Sequence, residues 1–418
     1  MVEKKNIVIV TSNFNSLKYI SLSKLSLYSI FNAIESIKAN DEIELLIIDN
    51  ASTDGSDIII HNLATKLSKE KDIDFEFIKL KKDLGNSFAY SYGYLLSRKR
   101  GARYVILMDN DYVILYPKVL DKLIKMAYEL SSINYYSITP LSISGNRKEI
   151  LNIINNFSSE DPTLEMLDYL NNFIENNKSK YSVREIGLID DLGRVFNLPK
   201  YLTLFEFRKF TSHKKILLTG YTPLFFSLYN TKLAPIFHYL YIGGDDIISG
   251  LEHVKRGYFN IVLMDLLGGH FYSEDKYKNI YFKIRNSILV EQPTSNLYFL
   301  FKFIYTFLIL IPSTIIDLDF MKNNIKIGDI KFRNNKVKQI VLGTMHGFIH
   351  YNKYREKIEK WFNENIPEKK DNKLNYLRLS FSHFPCNNFM KKMILYYLIS
   401  LGSSLNYKRN KDLFLKML

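Results

Sequence analysis

The sequence has one cysteine, Cys386, in 418 residues. A single thiol excludes an internal disulfide and any metal site built from several cysteines, and it fits a reducing compartment. The N-terminus lacks the long apolar stretch and cleavage site of a secretory signal. Met1-Val2-Glu3-Lys4-Lys5 runs straight into the strand-like Asn6–Val10, so the chain is expected to begin in the cytoplasm. Phosphate-cradling glycines are missing as well. No G-x-G-x-x-G follows the first strand-like run and no G-x-x-x-x-G-K-[ST] occurs there, which removes the dinucleotide and P-loop readings. Acidic residues are scarce at one end only. Residues 297–418 carry 21 Lys and Arg against 9 Asp and Glu, a net of +12 of the chain's +14, so the first 296 residues are nearly neutral.

A basic tail suits nucleic acid or an anionic membrane surface, and its neighbours favour the membrane. Leu297–Ile316 is an apolar run with Lys302 as its only charge before Ile316, about the ~20 residues that a bilayer core requires. Three states fit it: a span, an in-plane helix, or a buried core helix. Shallow or in-plane insertion at an anionic membrane is the expectation, with no nucleic-acid partner.

Chain length and 47% hydrophobic residues predict two regions, 1–296 and 297–418, the second mainly helical and basic. In the first, strand-like runs alternate with helical patterns. Asn6–Val10 is followed by a helix over 16–38, Ile43–Ile48 by a helix over 56–69, and Phe75–Ile78 by a helix opening at Leu84-Gly85-Asn86-Ser87. This alternation predicts an α/β fold, a doubly wound, mostly parallel sheet with helices on both faces.

The most telling run is Tyr104–Asp111, apolar until it stops on Asp109-Asn110-Asp111. A buried strand places these acids at its carboxyl end, where open α/β sheets bind ligands. If the chain stays extended, residues 109 and 111 project to one side. Two carboxylates beside a phosphate-bearing ligand suit Mg²⁺ or Mn²⁺. An isolated D-x-D also suits a helix cap or an Asx turn, and both readings stand on these residues alone.

The succession of Thr11-Ser12-Asn13, Ile47-Ile48-Asp49-Asn50-Ala51-Ser52-Thr53-Asp54-Gly55-Ser56, Leu84-Gly85-Asn86 and Leu107-Met108-Asp109-Asn110-Asp111 resembles family 2 glycosyltransferases of GT-A fold. The resemblance covers about residues 6–290. It implies a nucleotide-sugar donor, UDP- or dTDP-linked, bound in a half formed by 1–135, with Thr11, Asn13, Asp49, Asp54, Gly85, Asn86, Asp109 and Asn110 around it. Asp49 would meet the base, Asp109 the ribose, and Asp111 the metal. An acceptor half, 136–296, would include a helical insertion at about 146–182, read as a solvated elaboration. Ser137–Pro140, a hairpin over 186–193, and Ile216–Gly220 with Pro223–Phe226 complete its strands.

A second cluster, Gly243-Gly244-Asp245-Asp246, precedes a helix over Ser249–Arg256 and then Gly257-Tyr258. Paired acids ahead of a helix can simply cap it. The resemblance implies that Asp246 is the catalytic base of an inverting transfer and that Asp245 caps the helix or orients the acceptor. Ile248 stands where many relatives carry another acid. His270, after Gly268-Gly269, is implied as a third metal ligand beside Asp111 and Asp109. The Asp-Asp pair with Gly-Gly-His is reminiscent of galactofuranosyl- and rhamnosyltransferases. The expected activity is sugar transfer to a lipid-linked or cell-surface glycan at the cytoplasmic membrane face. The alternatives are a non-catalytic nucleotide-sugar-binding or scaffold protein of the same fold, and a nucleotidyltransferase.

Overall fold

The structure is a computed structural model describing residues 6–37, 43–132, 134–157, 161–177, 181–183, 187–189, 195–197, 216–219, 221–233, 240, 243–272, 280–290 and 330–366. Contacts group the chain into two compact units. The first is formed by residues 1–241, 245–274 and 365–383, and the second by 242–244, 275–364 and 384–418.

In the first unit, strands and helices alternate as the sequence pattern requires. They are β1 (Ile7–Asn13), α1 (Ile20–Ser36), β2 (Ile43–Asp49), α2 (Ser56–Lys71), β3 (Phe75–Lys79), α3 (Asn86–Lys99), β4 (Tyr104–Asp109), β5 (Tyr112–Ile114) and α4 (Pro117–Glu129). There follow β6 (Tyr135–Asn146), α5 (Arg147–Ile154), α6 (Leu164–Asn176), β7 (Ser182–Val183), the hairpin β8 (Gly187–Ile189) with β9 (Val195–Asn197), β10 (Ile216–Thr219), β11 (Phe226–Asn230), α7 (Asp245–Lys255) and β12 (Phe259–Tyr272). A hairpin is expected over 186–193; the second strand of the observed one, β9, lies beyond those bounds, and Asp191, Leu192 and Gly193 lie outside the described residues.

The main sheet runs β10-β12-β6-β11-β4-β1-β2-β3, with β5 on β12 and β7 on β6. β1 pairs in parallel with both β2 and β4, so the strand order reverses at β1. The crevice beyond the carboxyl ends of β1 and β4 is therefore the natural ligand position. β11 enters antiparallel between β4 and β6 and closes the other half. Ile7, Ile9, Leu45, Ile47, Ile106 and Met108 lie in one buried cluster with residues of α1, α2 and α4. Those two-sided apolar strands explain why the sequence shows continuous runs instead of alternation. On the side of α3, Gly93 lets the helix approach β1. A Cβ there would stand 2.5 Å from Val10 Cγ1.

The second unit contains α8 (Ile280–Val290), α9 (Ile330–Ile349) and α10 (Tyr351–Asn365). Thus α8, assigned by sequence to the first region, groups with the second. At Gly343 a Cβ would meet the Tyr281 carbonyl oxygen at 2.7 Å, so α9 crosses α8 at a glycine. No helix among the described residues is long and apolar enough to cross a membrane. The apolar run 297–316, Cys386 and residues 370–418 lie outside the described residues.

Candidate metal and donor site

The site begins with a sharp change of direction. β4 ends at Asp109, the chain turns through Asn110-Asp111, and β5 starts at Tyr112. The two acids are therefore not alternate residues of one extended strand, as the sequence reading supposed. They meet because β5 pairs with β12, in the register Gly268↔Ile114, Gly269↔Val113 and His270↔Tyr112. Phe271 N–H donates to the Asp111 carbonyl at 3.0 Å and fixes that register beside the turn.

The glycines before His270 follow from this packing. A Cβ on Gly268 would lie 2.1 Å from the Val113 carbonyl oxygen, and one on Gly269 would lie 2.6 Å from the Phe271 ring. Only bare backbone brings β12 this close. As a result His270 Nε2 stands 2.9 Å from Asp111 Oδ1 and 3.4 Å from Asp109 Oδ2. One ligand atom from each of the three residues falls within 4.8 Å of the other two. The imidazole is stacked on Phe225, with ring centroids 4.9 Å apart, which sets its plane. Two hard carboxylate oxygens and an imidazole nitrogen form a donor set suited to a divalent cation such as Mn²⁺.

The acids differ in their surroundings. Tyr90 donates its hydroxyl to Asp109 Oδ1, and burial beside that carboxylate pushes the phenol well above its ordinary pKa. Burial works to raise the Asp111 carboxyl, but His270 and the Arg147 guanidinium outweigh it and lower its pKa to about 2. Arg147 was missed by the sequence reading. It opens α5, inside the segment taken as a solvated insertion, and donates to Asp111 Oδ2. Within that segment α5 and α6 are helices, and its second residue, Arg147, stands at the acid cluster. The sequence itself shows only an arginine at the start of a polar segment, which no spacing rule singles out.

The other expected donor residues divide into two groups. Asn13 Nδ2 donates to Asp49 Oδ1 at 2.8 Å, Asn110 Nδ2 donates to Asn13 Oδ1 at 3.3 Å, and Ser12 Oγ donates to Asn86 Oδ1 at 2.8 Å. These bonds join the ends of β1, β2 and β4 to the start of α3. Gly85 has φ +87, and Asn50 with Asp83 ties its loop down. Thr11 is buried at the end of β1. Asp49 and Asp54, by contrast, serve the loop between β2 and α2. Asp49 is fully buried and accepts from Asn13 Nδ2, Ser52 Oγ and Ser52 N–H. Asp54 accepts from the Leu17 N–H and from the Ser56 N–H and hydroxyl. Its oxygens hold the start of α2 and the Leu17 turn, because the N–H groups of a helix's first turn need acceptors.

Asp245 and Asp246 do not precede a helix, as expected from sequence. They form its first turn, since α7 begins at Asp245. Asp245 is buried near Ser87, and burial with the field of Asp109 raises its pKa to about 6. Asp246 is half-buried. Ile248 is buried and gives α7 part of its apolar face.

Fold and cluster together define an α/β protein with a candidate divalent-cation site at a sheet switch point. Residues 26–181, somewhat over a third of the chain, match the family model for Glycosyl transferase family 2. Curated proteins give no match. Among solved structures, the chain is similar to the mannosyltransferase PcManGT of Pyrobaculum calidifontis in complex with GDP-Man and Mn²⁺, at 12% identity and TM-score 0.42, covering 90% of this chain and 86% of that one. GalNAc-T7 with UDP, GalNAc and Mn²⁺ is matched at 14% identity and TM-score 0.47, over 87% of this chain and 57% of that one. S. aureus TarS in complex with UDP is matched at 13% identity and TM-score 0.37, over 86% and 91%.

Proposed function

We propose that the protein is a metal-dependent family 2 glycosyltransferase of GT-A fold that transfers a sugar from a nucleotide-sugar donor with inversion. The observation that carries this reading is the convergence of Asp109, Asp111 and His270 at the carboxyl edge of the parallel strands. The family match over residues 26–181 includes both acids and the loop from β2. A bound Mn²⁺ or Mg²⁺ would offset the charge of the departing diphosphate. The chain's own groups supply the rest. Asn13, Asn86, Asn110 and Gly85 line the donor crevice, and Asp49 orders its loop. Asp246, the more exposed acid of α7, accepts the acceptor hydroxyl's proton while that oxygen attacks the anomeric carbon.

The acceptor is proposed to be a lipid-linked or cell-surface glycan, met at the cytoplasmic membrane face through the basic tail. The sugar class suggested by Asp245-Asp246 and Gly268-Gly269-His270 is rhamnosyl or galactofuranosyl. A panel of UDP-, dTDP- and GDP-sugars, hydrolysed with and without Mn²⁺, tests the core of the proposal. Metal-dependent turnover of at least one donor is expected, abolished in Asp111→Asn and His270→Ala. Turnover at the parental rate in both variants would remove the site assignment. The absence of turnover alongside tight nucleotide binding would favour the scaffold reading.

A further inference from the structure

Arg147 is placed against the acid cluster by two long strands. β6 delivers it to the end of the sheet, and β12 supplies the Phe271 carbonyl that accepts from its Nε at 3.0 Å. Its Nη2 donates to Asp111 Oδ2, and its guanidinium carbon lies 4.0 Å from the Tyr19 ring centroid. The other oxygen of Asp111 faces His270. The Arg147 side chain is 16% exposed and that of Asp111 10%. The guanidinium brings a full positive charge to the cluster. The negative charges of the cluster come from two carboxylates, Asp109 and Asp111. Arg147 cancels one of them before any cation arrives.

We propose that Arg147 is a built-in counter-cation that opposes divalent-cation binding electrostatically and holds the donor-free site at low metal affinity. The inference rests on the metal-site reading above. A contrary effect competes with it, because a partner that orients a ligand typically raises metal affinity about 10–100-fold. Arg147 does orient Asp111. However, its full charge sits next to the ligand in a mostly buried site, where screening is weak, so repulsion outweighs orientation.

Substitution separates the two effects. Arg147→Lys keeps the charge and loses the fork that spans Asp111 and Phe271, whereas Arg147→Met loses both. The readout is Mn²⁺ affinity of the full chain by titration calorimetry without nucleotide. Arg147→Met is expected to bind Mn²⁺ at least about 10-fold more tightly than the parent, and Arg147→Lys within about 3-fold of it. Arg147→Gln serves as a second neutral variant should the methionine protein fail to fold. Unchanged or weaker Mn²⁺ binding in the neutral variants would overturn the proposal. So would tightening in Arg147→Lys equal to that in Arg147→Met. Asp111→Asn marks the other kind of failure: if it binds Mn²⁺ as the parent does, the cation is not at this cluster and the site reading itself falls.

Discussion

Asp245 and Asp246 are neighbours in one helical turn, and burial separates their surroundings. Proton removal from an acceptor needs an accessible carboxylate, which favours the half-buried Asp246. Asp246→Asn is expected to lose about 10²–10⁴-fold in transfer rate while keeping Mn²⁺ affinity and melting temperature. Transfer near the parental rate would shift the role to Asp245. For Asp245, whose pKa is raised to about 6 by burial and Asp109, the folded state binds a proton that the unfolded state has already released between about pH 4 and 6. Its contribution to stability in the metal-free protein therefore falls as pH rises through that window. The full shift corresponds to roughly 3 kcal/mol. Asp245→Asn should melt higher than the parent at pH 7 and equally at pH 4. A lower melting temperature at pH 7 would mean that the charge is stabilising, as a capping residue's would be.

Two elements contribute to the candidate site, β12 through His270 and α7 through Asp245 and Asp246. In β12, Gly268→Ala drives a methyl group into the Val113 carbonyl oxygen. The strand must move off β5 and carry His270 away from Asp111. A loss of about 1–3 kcal/mol in stability, together with weaker Mn²⁺ binding, is expected. Parental metal affinity in that variant would show that the close approach is not required. In α7, His253 is buried, stacks on Tyr136 with ring centroids 3.5 Å apart, and places Nδ1 2.6 Å from the Ser249 carbonyl oxygen. Burial lowers its pKa to about 3. Below about pH 6.5 the unfolded chain gains a proton that the folded helix refuses, so stability is lost as pH falls, by about 1.4 kcal/mol per unit. His253→Phe keeps a stacked ring and should flatten the urea-midpoint profile between pH 6.5 and 5. An unchanged slope would place the acid sensitivity elsewhere.

At the scale of the whole molecule, charge is divided along the chain, with a net of +12 over residues 297–418 and +2 before them. Such a segment is drawn to anionic lipid by about 1 kcal/mol per basic residue near the surface, and salt screens the attraction. The full-length chain is therefore expected to sediment with phosphatidylglycerol vesicles at low salt, to be released at roughly 0.5 M salt, and to ignore neutral vesicles. Binding that is indifferent to lipid charge and to salt would refute the electrostatic part of the proposed membrane role.

The sequence by itself determined the alternating strands and helices of the first 135 residues, because buried parallel strands need apolar runs and crossover helices need a 3.6-residue period. It also determined where the acids lie along the chain, since strand ends are polar where apolar cover stops. Tertiary structure decided what those acids do. Asp49 and Asp54 became loop-holding acceptors because the N–H groups near them needed partners, which no motif displays. Asp111 reached His270 through a pairing of strands more than 150 residues apart, enforced by Gly268. Arg147 joined them because β6 runs on to Asn146, well beyond the four residues legible as strand. Periodicity reports which face of an element is buried. Which distant side chains share a crevice depends on register, bulges and close backbone approach, and these exist only once the sheet has formed.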